Sequence, residues 1–292
     1  MPGNMKLYEQ MTIIGVGLLG ASLAKACRHL GLVGKIVGFG RNKANLKQAE
    51  ELSIIDSGAK DLQSAVKDAD LIVICVPVGS MVSLTKEIIP WVKKGCHITD
   101  VGSVKGPLAQ ALEEIIQGPA YFIGSHPLAG GEKSGLSASD KELFKGARCI
   151  ITPTSRSDPS ALKKITQLWE GVGMSVHTMD AAEHDAALGA VSHLPHVVAY
   201  ALINAVAGLQ TGGNEDHLAF SAGGLKDTTR IASSDPVMWR DICVHNRQQV
   251  LRCIDHFQDT LSKIRGYIEN EEGGLLKESF ETANEHRLKL TG

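Results

Sequence analysis

Four short stretches carry side chains able to do chemistry. The first, Asp100-Val-Gly-Ser-Val-Lys105, follows an apolar run. Its Ser103 reads either as a cap for the helix that starts near Pro107 or as a hydroxyl presented to a ligand. The second is Gly124-Ser-His-Pro-Leu-Ala-Gly-Gly-Glu132. Its His126 stands at the C-terminal end of a predicted strand, ahead of a proline and two glycines. Oxidation of a hydroxyl needs a base for the O–H proton while hydride leaves carbon, and imidazole has a suitable pKa. The alternative is an inert loop histidine. The third stretch is Ser192-His-Leu-Pro-His196. Its two histidines invite a metal reading, but no HExxH and no acidic or cysteine partner at the usual spacing accompanies them, so no metal is expected. Pro195 perturbs the helix and frees backbone groups, which suits a ligand-facing break. The fourth runs Gly223-Gly-Leu-Lys-Asp-Thr-Thr-Arg-Ile-Ala232, then Ser234-Asp-Pro-Val-Met-Trp239. It reads as a solvated helix start, or as one that offers Arg230 to a carboxylate, which a guanidinium grips in a bidentate fork.

These residues need a frame. Residues 12–20 read Thr-Ile-Ile-Gly-Val-Gly-Leu-Leu-Gly, an apolar strand entering Gly15-x-Gly17-x-x-Gly20, and the helix-like Ala21–Leu30 follows. In that context the glycines form a dinucleotide-binding turn. Gly15 permits the turn, Gly17 lets backbone approach a pyrophosphate, and Gly20 lets the helix sit close on its strand. Gly15, Val16, Gly17, Leu18, Leu19 and Gly20 are therefore the expected cofactor loop. Further strand candidates are Lys35–Phe39, Leu71–Val76, His97–Val101, Tyr121–Gly124 and Cys149–Thr152, with helix-periodic runs such as Asn42–Glu51 and Met81–Val92 between them. Such alternation predicts a parallel sheet covered on both faces. Ligands then bind beyond the C-terminal strand ends, where Val76 and Pro77 lie. The second strand ends Val37-Gly-Phe-Gly-Arg-Asn-Lys43. Gly40 stands where NAD-binding proteins place a carboxylate. Arg41 and Lys43 follow, and unless both are solvated loop charges they favour the 2′-phosphate of NADP over NAD.

The character changes near residue 180. A helix over Pro159–Glu170 and a strand over Ser175–Thr178 complete a first domain, 1–180, and 181–292 reads as all-helical. There, Glu183–His193 leads into the apolar Val197–Leu209, a helix buried all round, in a core or between subunits. Asp241–Ile268 reads as one long helix and the charged Glu269–Gly292 as a surface helix pair. A net charge of −2 with 43% hydrophobic and 21% charged residues in 292 describes a globular protein and gives no basis for a nucleic-acid or membrane partner. No uninterrupted apolar run reaches about 18 residues, and Met1–Glu9 lacks a signal core. Six scattered cysteines without a CxxC pair read as free thiols of a reducing cytoplasm.

Gly15-x-Gly17-x-x-Gly20, Asp100–Lys105, Ser125-His-Pro-Leu-Ala-Gly-Gly-Glu132, Ser192–His196, Gly223–Ala232 and Asp235-Pro-Val-Met-Trp239, in this order and across most of the chain, resemble the prephenate/arogenate dehydrogenase family of tyrosine biosynthesis. The resemblance implies an α/β Rossmann-like parallel-sheet domain followed by an all-α C-terminal domain that forms a homodimer, with the active site in the cleft between them. It implies a monofunctional enzyme that oxidatively decarboxylates prephenate to 4-hydroxyphenylpyruvate, with arogenate, or both substrates, as the alternative. By the same resemblance His126 accepts a hydrogen bond and then the proton from the ring hydroxyl. Ser103 orients His126 or that hydroxyl and lies against the cofactor, and Arg230 pairs with a substrate carboxylate. His193 and His196 line the pocket; Lys226 and Trp239 belong to the same wall or are structural. A β-hydroxyacid or imine reductase shares the plan but usually places a catalytic lysine on its helical domain and lacks the Ser-His-Leu-Pro-His stretch. A non-catalytic NADP sensor has no use for an intact His126, Ser103 and Arg230.

Overall fold

Eight strands form one sheet in the order β3-β2-β1-β4-β5-β6-β7-β8 in the computed structural model, which describes residues 6–118, 120–131, 135–209 and 217–290. In chain order these are β1 (Tyr8–Ile14), α1 (Leu18–His29), β2 (Val33–Phe39), α2 (Lys43–Glu51), β3 (Ser57–Gly58), α3 (Leu62–Val66), β4 (Leu71–Ile74), α4 (Val78–Ile88), β5 (His97–Asp100), α5 (Gly106–Ile115), β6 (Tyr121–Pro127), β7 (Arg148–Thr152), α6 (Pro159–Gly171) and β8 (Ser175–Thr178). The order β3-β2-β1-β4-β5-β6 is that of a Rossmann sheet. Strands β1 to β6 pair in parallel; β7 runs antiparallel to β6, and β8 is parallel to β7. The expected parallel sheet is present over β1 to β6, and the last two strands run the other way.

All four residues of β4 are buried, because helices cover both faces of the sheet. Alternate residues feed opposite layers. Ile13, Leu71 and Val73 pack with Leu23, Cys27 and Trp169 on one side. Ile14, Ile72 and Ile74 pack with Met81, Leu108 and Leu112 on the other. Side-chain caps mark several helix starts: Asn42 Oδ1 accepts from Asn45 N at 3.1 Å, and Asp158 Oδ1 accepts from Ala161 N at 2.8 Å. Strand β6 extends past the predicted Gly124 to Pro127, so His126 lies within a paired strand, opposite Ile150 of β7.

After β8 the chain is helical: α7 (Ala181–Leu188), a π-helical turn over Gly189–His193, α8 (Leu194–Gly208), α9 (Gly223–Thr229), α10 (Pro236–His245), α11 (Arg247–Glu269) and α12 (Gly273–Leu288). Two compact units emerge, Met1–Asn246 and Arg247–Gly292. The single helix expected over Asp241–Ile268 is two helices. Asn246 breaks it at φ −102° and ψ 29°, with no proline or glycine to announce the break. The charged tail beyond Glu269 forms one helix, not a pair, among the described residues. Within the single chain, Ala199 is the one buried residue of α8, so this helix is not the core helix its composition allowed. The segment Ala181–Gly208 is long and apolar enough by composition to cross a membrane, and 22% of its most apolar 18-residue stretch is buried. Its first turns carry His184 and Asp185, both buried and hydrogen-bonded inside the fold. Glu132 of the second stretch lies outside the described residues.

Candidate active site

The turn from β1 to α1 is shaped by missing side chains. Gly15 holds φ at +101°, and a Cβ there would overlap the Cys75 carbonyl oxygen. A Cβ on Gly20 would overlap the Gly15 carbonyl oxygen and meet Ile13 Cγ2 at 2.8 Å. Gly17 has nothing within 4 Å of that position. Helix α1 starts at Leu18 with no side-chain cap and no acidic residue in its first turn, so its leading N–H groups face an open space. This cradle fits the pyrophosphate of a dinucleotide. Val16 is buried, and its carbonyl accepts from Asn45 Nδ2 at 2.8 Å, which ties the turn to α2. At the end of β2, Gly40 offers no carboxylate and Arg41 is exposed. Lys43 is not a purely solvated charge: its Nζ reaches Lys60 O at 3.2 Å and lies 5.5 Å from the Phe39 ring centre. Val76 is half-buried just past β4, and the exposed Pro77 precedes α4.

At the corresponding end of β6, His126 is 7% exposed. Its Nδ1 lies 2.8 Å from His184 Nε2, and His184 Nδ1 lies 2.8 Å from Asp185 Oδ1. The Asp185 carboxylate also accepts from Lys105 N and Gly106 N, each at 2.8 Å. Those two N–H groups open α5, whose N-cap residue, Lys105, makes no side-chain capping bond of its own. The cap expected of Ser103 is therefore supplied by Asp185. Ser103 is half-buried in the loop before α5, and among the described residues no hydrogen bond joins its hydroxyl to His126. Below it, Lys105 Nζ and Asp100 Oδ2 form a fully buried pair at 2.6 Å. The Asp100 carboxylate accepts in addition from Gly102 N at 2.8 Å and Ser125 N at 3.2 Å, which fastens the ends of β5 and β6 together.

His193 and His196 come from the π-helical turn and the proline-marked start of α8. Such turns cluster at functional sites because the extra residue re-aims side chains. Buried His193 accepts at Nδ1 from Asn246 Nδ2 at 3.0 Å, and its Nε2 has no partner. That places its proton on Nε2, a buried donor without a well-aligned acceptor, although the Ser103 backbone is near enough to raise the ring's pKa against the effect of burial. His196 donates from Nδ1 to Ser192 O at 3.0 Å and stacks on Trp239, 3.5 Å between centroids and 20° between planes. Trp239 is buried beside both rings, its Nε1 also unpartnered. Asp235 caps α10 through Val237 N and Met238 N and so sets that tryptophan in place. Burial, then the charges of Lys105, His184 and His193, push the His126 pKa well below the usual imidazole value. Burial lowers His193 to about 4 and lowers His196 as well.

A cavity of about 780 Å³ brings Leu18 of the glycine turn together with Gly130, Gly131, His196, Arg230 and Ser234. Tyr200 Oη, bonded to Ser234 O at 2.8 Å, fastens the Ser234 end of this wall to α8. Lys226 is exposed on α9 and does not line this cavity; nor do the half-buried Ser103 and the buried His126 and His193. Sequence reasoning missed His184, Asp185, Asn246 and the Asp100–Lys105 pair. Asp100 and Lys105 bound the first stretch and were in view. Nothing in the local pattern marks the other three, which meet their partners across 53 to 80 residues.

Two family models match in sequence order: prephenate dehydrogenase, nucleotide-binding domain, over residues 23–178, and prephenate dehydrogenase, dimerization domain, over residues 180–282. The cyclohexadienyl dehydrogenase of Zymomonas mobilis is 36% identical over 287 residues, spanning 98% of this chain and 97% of that protein. The prephenate dehydrogenase of Aquifex aeolicus, crystallised with hydroxyphenyl propionate and NAD+, superposes with a TM-score of 0.91 at 36% identity, covering 97% of this chain and 98% of that one. The arogenate dehydrogenase of Synechocystis superposes with a TM-score of 0.81 at 29% identity, covering 96% of this chain and 99% of that one.

Proposed function

From the premise that the chain belongs to the prephenate dehydrogenase family, we propose that it catalyses the dinucleotide-dependent oxidative decarboxylation of prephenate to 4-hydroxyphenylpyruvate. The observation that carries this reading is His126, buried and held uncharged at the C-terminal end of β6. An uncharged imidazole there takes the proton of the ring hydroxyl as hydride leaves the same carbon. The carboxylate across the ring departs as CO₂ and the ring becomes aromatic, which makes the overall step strongly downhill. Orientation and proton removal are then what the protein must supply.

A bound nicotinamide dinucleotide supplies the hydride acceptor. Gly15, Val16, Gly17, Leu18, Leu19 and Gly20 hold its pyrophosphate, with Val76, Pro77 and Ser103 beside it. Arg41, exposed next to the carboxylate-free Gly40, favours NADP over NAD, because a carboxylate there would repel a 2′-phosphate and a guanidinium binds one. On the substrate side, Arg230 pairs with a carboxylate. His193 presents its buried Nε2–H to the ring substrate, which would give that donor the well-aligned acceptor it lacks. His196 and Trp239 form one stacked wall.

Residues 1–180 serve the dinucleotide and 181–292 the substrate and a second copy of the chain; the exposed apolar α8 supports that homodimer. The six free cysteines suit a cytoplasmic enzyme. Arogenate is the second reading, favoured by the likeness to an arogenate dehydrogenase. Initial rates with each substrate and each dinucleotide, read as absorbance of the reduced cofactor and as aromatic product, test all of this. Prephenate with NADP is expected to give the highest kcat/KM. No turnover of either substrate, despite tight dinucleotide binding, would sink the enzymatic reading in favour of a sensor.

A further inference from the structure

The reading above leaves His184 and Asp185 without a task, although both are buried and both are aligned behind His126. Hydrogen positions follow from the partners. The Asp185 carboxylate accepts from two backbone N–H groups at the start of α5, so the ring nitrogen beside it must be a donor. His184 therefore carries its proton on Nδ1, and its Nε2 is an acceptor. His126 Nδ1, 2.8 Å from that acceptor, must then be the donor. A neutral His126 with its proton on Nδ1 has its lone pair on Nε2. Among the described residues no group hydrogen-bonds that nitrogen.

We propose that His184 and Asp185 are positioning residues that hold His126 with its proton on Nδ1, keep the Nε2 lone pair for the substrate hydroxyl, and share the positive charge His126 then acquires. The inference rests on His126 being the proton acceptor of the proposed reaction. In that step the hydroxyl O–H bond breaks and an Nε2–H bond forms on His126. The Nδ1 proton of the resulting imidazolium is shared with His184 Nε2, and the charge is compensated by the Asp185 carboxylate, as an aspartate steadies a histidine in hydrolytic triads. The carboxylate is itself immobilised. Besides its two N–H donors, a Cβ on Gly106 would crowd Asp185 Oδ2 at 3.0 Å, so the helix start leaves the carboxylate little freedom. The charged and titratable groups facing His126 are Lys105 of the β5–α5 loop, His184 of α7 and His193 of the π-helical turn, with Asp185 behind His184.

A purely structural role predicts a different ranking of variants. If His184 only fills space, His184→Phe is tolerated better than His184→Gln. If it relays, His184→Phe lowers kcat by about 10². KM for the ring substrate and dinucleotide affinity stay within about threefold, and the acid limb of the kcat–pH profile moves. His184→Gln, whose amide both accepts from His126 and donates to Asp185, recovers at least about tenfold of the loss. Parental kcat and pH profile in His184→Phe, or Phe outperforming Gln, overturns the proposal. Should both variants fail to fold, the native enzyme decides. Nitrogen NMR on ring-labelled histidine, with the His126 signal assigned by its loss in His126→Asn, is expected to show the Nδ1–H form. An Nε2–H form for His126 overturns the relay. A parent enzyme inactive on prephenate and arogenate overturns the functional reading instead and leaves the NMR result to judge the tautomer.

Discussion

The glycine turn after β1 and the histidine cluster at the end of β6 stand at the same edge of one sheet and are built by opposite means. The turn works through absence: a positive φ at Gly15, no room for a Cβ at Gly20, open space above Gly17. The cluster works through saturation. Asp185 engages three donors, Asp100 engages three more, and His126 has one nitrogen committed. The difference follows from what each must meet. A pyrophosphate needs backbone N–H groups brought close, which any side chain would obstruct. Proton transfer needs one nitrogen fixed in one tautomer, which only further side chains can arrange.

Four changes separate the two regions. His126→Asn should lower kcat by about 10²–10⁴ while sparing dinucleotide affinity, as judged by steady-state kinetics and fluorescence titration. A kcat within a few-fold of the parent would mean that the cluster does not carry the proton. Gly15→Ala and Gly17→Ala should diverge. The first meets the Cys75 carbonyl with φ at +101° and should cost about 3 kcal/mol in denaturant unfolding. The second should leave stability within about 0.5 kcal/mol and weaken only the dinucleotide. Equal losses in stability would erase the distinction between strain and clearance. Arg230→Ala, on the exposed wall of the cavity, should raise KM by the equivalent of about 1.5–3 kcal/mol with little change in kcat, since a carboxylate clamp serves ground state and transition state alike. A kcat loss with KM unchanged would move Arg230 from the wall to the reacting centre.

The fourth change is pH. His193 is neutral when folded, its pKa lowered to about 4 by burial, while an unfolded chain binds protons near 6.5. The unfolded state then holds more protons over that window, so stability is full above about pH 6.5 and is lost as pH falls. At pH 5 this one ring should remove about 2 kcal/mol, and His126 works in the same direction. Chemical denaturation at the two pH values measures it. Stability that stays level from pH 7 to pH 5 would show that these rings are not held neutral.

What the sequence discloses tracks how local each constraint is. The Gly15–Gly20 turn is written in consecutive residues, and so are the apolar β4 and the capped start of α2, because backbone geometry and two-faced burial act on neighbours. The direction of β7 is not written anywhere: Cys149-Ile-Ile-Thr152 reads as a buried strand whichever way it runs. The two-residue β3 is too short for any period, and exposed Glu9 and half-buried Gln10 disguise the first half of β1. The break at Asn246 is set by its side-chain bonds to Asp185 O and His193 Nδ1, contacts that exist only once α7 has packed. For α8, composition reports an apolar surface and is silent on whether this chain or another covers it. The histidine cluster is the extreme case, since His126 and His184 are ordinary residues until folding brings them within 2.8 Å.

The Asp185 carboxylate at the head of α5 has a consequence for dissecting the molecule. The obvious place to cut is after β8, near residue 180, where a nucleotide-binding fragment would end. During synthesis, too, the first residues of α5 are made some eighty residues before their acceptor. A fragment stopped there, like the nascent chain, presents α5 with its first N–H groups turned to water and its helix start about 1 kcal/mol weaker. The sheet's own helix is finished by the segment that follows it, so the nucleotide-binding half is an incomplete part rather than a portable module.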